Sequence, residues 1–350
     1  MKVDPNTIHW PEVERVLVVK LRSIGDTVLS TPSLIALRRF LPKAQIDILL
    51  EDWVAPLLDG HDAVDNVISV DKSSTSRWKT AGTLRRQRYD IAFNLHGGTT
   101  ATMFVRASGA RHRVGYSHYQ YPFLYNHLLS SASDFWQQQK THSAEQQLAL
   151  LGFVGVQVED RPKSKLIVTE QAEKSIETRL SESTIRNPQS AFALLHPSTA
   201  FFTKQWPVEN FARTAEFLAD RGQHTVAISN KAEADKLKQL VAATKVPITT
   251  YDDLTLPEIT ALASKAKLFV GNDSGIAHIA AAVNTPSVVI FGSSNRDHWR
   301  PWTDAPNEIV YEEFACQPCP GYICEVYGEP KCILSVRSEA VFSAIKRLLS

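Results

Sequence analysis

No apolar run in the sequence approaches the roughly 18 residues that cross a bilayer, which argues against a transmembrane protein. Neither sign of charge is in excess. Lys and Arg number 38 and Asp and Glu 37, a formal net charge of +1, whereas a chain that coats nucleic acid carries a large basic surplus. Cysteine is sparse: four residues in 350 do not make a disulfide scaffold, and they fit a reducing compartment. The first residues, MKVDPNTIHWPEVE, are polar and acidic and lack the charged-then-apolar order of a secretory signal, so a cytosolic location is expected. No short-period repeat or low-complexity tract occurs. No P-loop pattern occurs either, and the first strand-to-helix loop is not G-x-G-x-x-G.

What the chain does contain is a 43% hydrophobic composition and enough length for about two domains. Short β-branched runs alternate with helical patterns, the mark of βαβ units and parallel sheets. Strands are expected at RVLVVKL (15–21), IDILL (46–50), VISV (67–70), YDIAFNL (89–95) and RVGY (113–116). The pattern weakens over 161–190, where one strand, one polar helix and a polar turn are expected, and the domain junction is placed there. A second series starts at Phe192 and runs through FALLHP, HTVAIS, KLFVG and PSVVIFG to an amphipathic helix at 341–349. Two doubly wound α/β halves of similar size follow, and such sheets bind ligands along the carboxyl edges of their strands.

Five stretches carry residues suited to chemistry. In Arg22-Ser23-Ile24-Gly25-Asp26-Thr27, Asp26 is placed to accept a proton from a hydroxyl, or simply to cap the helix. Gly271-Asn272-Asp273-Ser274-Gly275-Ile276-Ala277-His278 offers small residues at a helix start, a cradle for pyrophosphate. His278 there is either a cleft residue or a buried core histidine. His196 to Pro207 brings Thr199, Ala200 and the cation of Lys204 to another strand-to-helix junction, against the alternative of a solvent-exposed loop lysine. The stretch 106–127, with Arg106, Arg111, Arg113 and several Tyr and His, suits an acidic or phosphorylated sugar and an anionic membrane surface, or is a polar surface loop. Cys316, Cys319, Cys324 and Cys332 form C-x2-C-x4-C-x7-C, open to a structural metal, a redox-labile pair or packed free thiols. The cluster lies late in the chain and is expected to stand apart from the other motifs, with no catalytic role.

Read together, VLVVKLRSIGDTVLSTPSLIALRRFLP, LHPSTAFFTKQWPVENF and FVGNDSGIAHIAAAVNTPSVVIFG resemble the heptosyltransferase family of bacterial lipopolysaccharide synthesis, glycosyltransferase family nine. They occur in the family's order across nearly the whole chain, and the CQPC tail is similar to one in many members. The resemblance implies a GT-B architecture, two Rossmann-like doubly wound domains facing a central cleft. An acceptor-binding domain is then expected over 1–185, a nucleotide-sugar domain over 186–332, and a C-terminal helix, 333–350, packing back on the first domain. It implies transfer of heptose from ADP-L-glycero-D-manno-heptose to a Kdo or heptose of the inner core, with inversion, no obligatory metal and no cofactor. It further implies a cytoplasmic protein in transient contact with the inner membrane and without a nucleic-acid partner. By motif position Asp26 becomes the general base. Thr199, Ala200, Lys204, Asp273, Ser274, Gly275 and His278 bind the donor, and Arg22, Arg111 and Arg113 face the acidic acceptor. Ser274 stands where the family often has Thr, and Thr199-Ala200 where it often has Gly-Ala. A nucleotide-sugar epimerase of the same architecture, a member that glycosylates protein, and a non-catalytic sugar-nucleotide-binding module are the alternatives.

Overall fold

The computed structural model describes residues 7–183, 191–319 and 322–349. It divides into two compact units, Met1–Lys165 and Leu166–Ser350. The first unit opens with β1 (Arg15–Val19), in which Val16 to Val19 are wholly buried, as expected of a parallel strand covered on both faces. There follow α1 (Ile24–Val28), α2 (Thr31–Phe40), β2 (Gln45–Glu51), β3 (Asn66–Val70), α3 (Ser74–Gln87), β4 (Ile91–Asn94), α4 (Gly98–Ser108), β5 (His112–Tyr116), β6 (His127–Leu129), α5 (Ala132–Trp136) and α6 (Ser143–Gly152). The strands are parallel in the order β3-β2-β1-β4-β5-β6. The order reverses between β1 and β4. At such a reversal the loops leaving the two strands diverge, and the crevice between them is where a doubly wound sheet takes its ligand. Those loops begin at Lys20 and Leu95.

The second unit contains α7 (Glu170–Ser181), β7 (Phe192–His196), α8 (Val208–Ala219), β8 (His224–Ile228), α9 (Ala234–Ala243), β9 (Thr249–Tyr251), α10 (Leu256–Lys265), β10 (Leu268–Asn272), α11 (Gly275–Ala282), β11 (Ser287–Phe291), α12 (Arg296–Trp299), β12 (Asn307–Tyr311), α13 (Lys331–Leu334) and α14 (Ser338–Leu349). Its strands are again parallel, in the order β12-β11-β10-β7-β8-β9, so the reversal falls between β7 and β10. Each unit is thus a Rossmann-like doubly wound sheet, the pair of folds from which GT-B proteins are built.

Three expectations change. The strand expected near Leu166 is not part of either sheet; Leu166 donates its N–H to Ala282 O at 3.1 Å and the chain then runs on to α7. The junction placed at 185/186 lies outside the described residues, and α7 belongs to the second unit rather than to a first domain reaching 185. Its buried Ala172, Ile176 and Leu180 form one stripe, and Lys265 at the end of α10 reaches Glu173 and Glu177 at 2.9 Å. The C-terminal helix α14, expected to pack back on the first domain, belongs to the second unit. Val341, Ala344 and Ile345, at helical spacing, join Trp206 and Phe211 in that unit's core, and Phe342 stacks on Phe217 of α8 at 4.2 Å.

Candidate functional site

In the first unit, the residue after β1 is Lys20, only 4% exposed. A buried ammonium needs partners. Its Nζ donates to Asp26 Oδ1 and to Leu95 O, both at 2.9 Å, which ties the end of β1 to the end of β4. Asp26 lies inside α1, whose N-cap is Ser23, so the carboxylate does not serve as the cap. Instead its Oδ2 accepts a hydrogen bond from Ser23 Oγ at 3.0 Å. Burial acts to raise the Asp26 pKa. The charge and hydrogen bond of Lys20, helped by Ser23, outweigh it and hold the carboxyl below its ordinary value. His96 follows β4 in the same crevice. Burial and the nearby Lys20 charge push its imidazole down to about 4, so it is neutral near pH 7. The turn that carries it is fixed by Asn94 Oδ1, which accepts the N–H groups of His96 and Gly97 at 3.0 and 2.8 Å.

In the second unit, the loop after β7 and the loop after β10 are stapled by Asn272. Its Oδ1 accepts Trp206 N–H and its Nδ2 donates to Pro197 O, both at 3.1 Å. This sets Lys204 beside Asp273, with Nζ 2.7 Å from Oδ2. Ser294 Oγ donates to the same oxygen. Asp273, a carboxylate within a stretch suited to an anion, is thus paired with the Lys204 ammonium. Lys204 also lies 5.2 Å from the Phe201 ring. Ser274 is the N-cap residue of α11 but makes no capping bond; its Oγ meets His196 Nδ1 at 3.2 Å. No side chain therefore caps the start of α11. Gly275 is the first residue of α11, and His278 on its first turn is buried. Thr199 is half-buried and Ala200 exposed in the loop after β7.

The remaining candidates are more dispersed. Arg22 and Arg111 are exposed. Arg113 donates from Nε to Leu124 O at 2.6 Å and from a terminal nitrogen to Ala110 O at 2.7 Å, which shapes the loop leading to β6. The four cysteines are free thiols, and all four line one small cavity with Thr203 and Ser293. The cluster thus stands behind the Lys204 loop rather than apart from it. Cys319 N–H donates to Ser293 O at 2.8 Å, and Gln317 Nε2 to Gly292 O at 2.6 Å. Among the described residues no group of three or more His, Cys, Asp and Glu is arranged to hold a metal ion. Lys20, His96 and Ser294 escape sequence reasoning, and Ser23 and His196 lie in stretches it singles out without a role. The one available signal is a lysine closing the otherwise apolar strand RVLVVKL.

The chain is similar over most of its length to known heptosyltransferases. It is 27% identical over 346 residues to lipopolysaccharide heptosyltransferase 3 of Escherichia coli strain K12, covering 94% of this chain and 96% of the relative. It is 25% identical over 303 residues to lipopolysaccharide heptosyltransferase 2 of the same strain, covering 82% and 85%. Among solved structures it is similar to a family 9 glycosyl transferase of Veillonella parvula, with a TM-score of 0.86 at 20% identity and coverage of 100% and 98%. It is also similar to E. coli ADP-heptose lps heptosyltransferase II, with a TM-score of 0.80 at 22% identity and coverage of 96% and 98%. The family "Glycosyltransferase family 9 (heptosyltransferase)" matches residues 77–327, a span that includes the second unit's site and leaves out the Asp26 loop. The chain belongs to glycosyltransferase family 9.

Proposed function

We propose that the protein transfers heptose from ADP-L-glycero-D-manno-heptose to a Kdo or heptose hydroxyl of the lipopolysaccharide inner core, with inversion at the anomeric carbon. Membership of the family supports the reaction class, and the relatives' names support donor and acceptor. The observation that carries the reading is the second unit's crevice. There a lysine held at 2.7 Å from Asp273 stands beside the uncapped start of α11, which suits a nucleoside diphosphate. Lys204 keeps donors beyond the one given to Asp273. With the N–H groups of Ser274 and Gly275, it takes the diphosphate, while Thr199, Ala200 and His278 complete the donor site.

Asp26 is the general base. The acceptor oxygen bonds to the anomeric carbon and its proton passes to Asp26. The anomeric C–O bond breaks with its electron pair leaving on ADP. The developing charge on ADP is met by Lys204 and the helix start, so turnover is expected to persist in a chelator. Arg22 and Arg111 are the acceptor-facing cations, and the protein works at the cytoplasmic face of the inner membrane. The test is ADP release and product mass with ADP-heptose and a core acceptor. Asp26→Ala should lower turnover about 10²–10⁴-fold with ADP affinity unchanged. Isomerised nucleotide sugar formed without acceptor would make the protein an epimerase, and a glycosylated polypeptide would replace the acceptor.

A further inference from the structure

We infer that Lys20 is a positioning residue that divides the work of the two Asp26 oxygens, Oδ1 serving as anchor and Oδ2 as the oxygen that receives the acceptor proton. The inference rests on the reading of Asp26 as base.

The two oxygens have unlike surroundings. Oδ1 faces Lys20, whose side chain is 5% exposed and whose ammonium is pinned by Leu95 O as well. It cannot swing to solvent without abandoning a backbone carbonyl at the end of the neighbouring strand. Oδ2 accepts from the hydroxyl of Ser23, an exposed residue, and an entering sugar hydroxyl can take that place without disturbing the Lys20 contact. A carboxylate has about four lone-pair sites, so room remains at Oδ2.

The charged and titratable groups around Asp26 come from every side of the crevice. Lys20 stands at the end of β1, Arg22 in its own loop, and His96 after β4 with Glu51 of β2 near it. His96 is neutral, and Glu51 accepts Trp53 Nε1 at 2.8 Å. Lys20 alone among these cations is hydrogen-bonded to the carboxylate. It keeps Asp26 ionised, and therefore competent as a base, well into acid. Without Lys20 only Ser23 and His96 oppose the burial of the carboxyl, and its pKa rises.

The experiment is the pH profile of kcat/KM with ADP-heptose and core acceptor for wild type, Lys20→Met and Lys20→Arg, each also in an Asp26→Ala background. In Lys20→Met the acid limb should climb by about 1–3 pH units. Lys20→Arg, which keeps the charge, should hold it low. In the Asp26→Ala background Lys20→Met should cost nothing further. The circular dichroism spectrum and thermal unfolding midpoint of each variant serve as the check on folding. Should Lys20→Met fail to fold, a carbon-13 titration of Asp26 in the intact wild-type protein decides: a pKa below the ordinary carboxyl value supports the inference and one at or above it overturns it. An unmoved acid limb in Lys20→Met, with Asp26→Ala inactive, overturns the role of Lys20 and leaves the base in place. Normal turnover of Asp26→Ala removes the base itself.

Discussion

At the scale of single residues, the two sites are held by polar groups placed where strands end. His196 closes β7 and is buried, and burial pushes its imidazole down to about 4. The unfolded chain binds that proton near pH 6.5. Stability from a neutral His196 is therefore complete above about 6.5 and is lost as pH falls toward 4, a change on the order of 3 kcal/mol. Urea unfolding of wild type and His196→Gln at pH 7 and pH 4.5 checks this: the wild type should lose more stability on acidification, and equal losses would refute the role. His196 also shows why parts of the sites were hidden in the sequence. Asp26, Lys204 and Asp273 lie outside the apolar strands, where a charged side chain stands out. Lys20 and His196 terminate apolar strands, and nothing local distinguishes a buried partner from an edge residue there. That Asp273 anchors Lys204 depends on two loops 69 positions apart meeting at 2.7 Å, which no local pattern encodes.

At the scale of elements, most strands of both sheets are legible because each is a short apolar run bounded by loop residues. The missed ones are of another kind. Helix α3 buries only Thr80 and Leu84, so no apolar stripe announces it; an N-cap bond to Ser73 and its packing on α4 sustain it. Strand β12 lies at a sheet edge with little buried surface. A close approach between elements also sets the donor site. At Gly292, just past β11, a β-carbon would stand 2.4 Å from Thr203 O and 3.4 Å from Lys204 Cα. Backbone cannot yield as a side-chain tip can, so Gly292→Ala should push the Lys204 turn aside and weaken ADP binding about tenfold or more, read by calorimetry. Gly82→Ala on α3 is the control. Its β-carbon would meet nothing closer than Arg86 at 3.9 Å, and ADP affinity should not change. Equal affinities for wild type and Gly292→Ala would show that the turn tolerates displacement.

At the scale of the whole molecule, the near-zero net charge conceals an uneven distribution. From Lys72 to Arg88 there are six cations, Lys72, Arg77, Lys79, Arg85, Arg86 and Arg88, and no carboxylate. Along α3 the exposed Trp78, Lys79, Arg85 and Arg86 recur at i, i+1, i+7 and i+8 and so share one face, with Trp78 80% exposed. No helix among the described residues is long and apolar enough to cross a membrane. The proposed contact with the inner membrane would use this face: each Lys or Arg near an anionic leaflet contributes about 1 kcal/mol within a Debye length, and an indole favours the headgroup level. A chain of net charge +1 gains little attraction from its overall field, so binding should depend on this face. The protein should cosediment with vesicles containing anionic lipid at about 0.1 M salt and be released as salt approaches 1 M, where screening shortens to about 3 Å. Replacing Arg85 and Arg86 with Gln, or Trp78 with Ser, should weaken that binding while leaving ADP affinity intact, because the donor residues belong to the other unit. Equal binding to neutral vesicles, or unaltered binding of these variants, would overturn the role of this face in membrane contact.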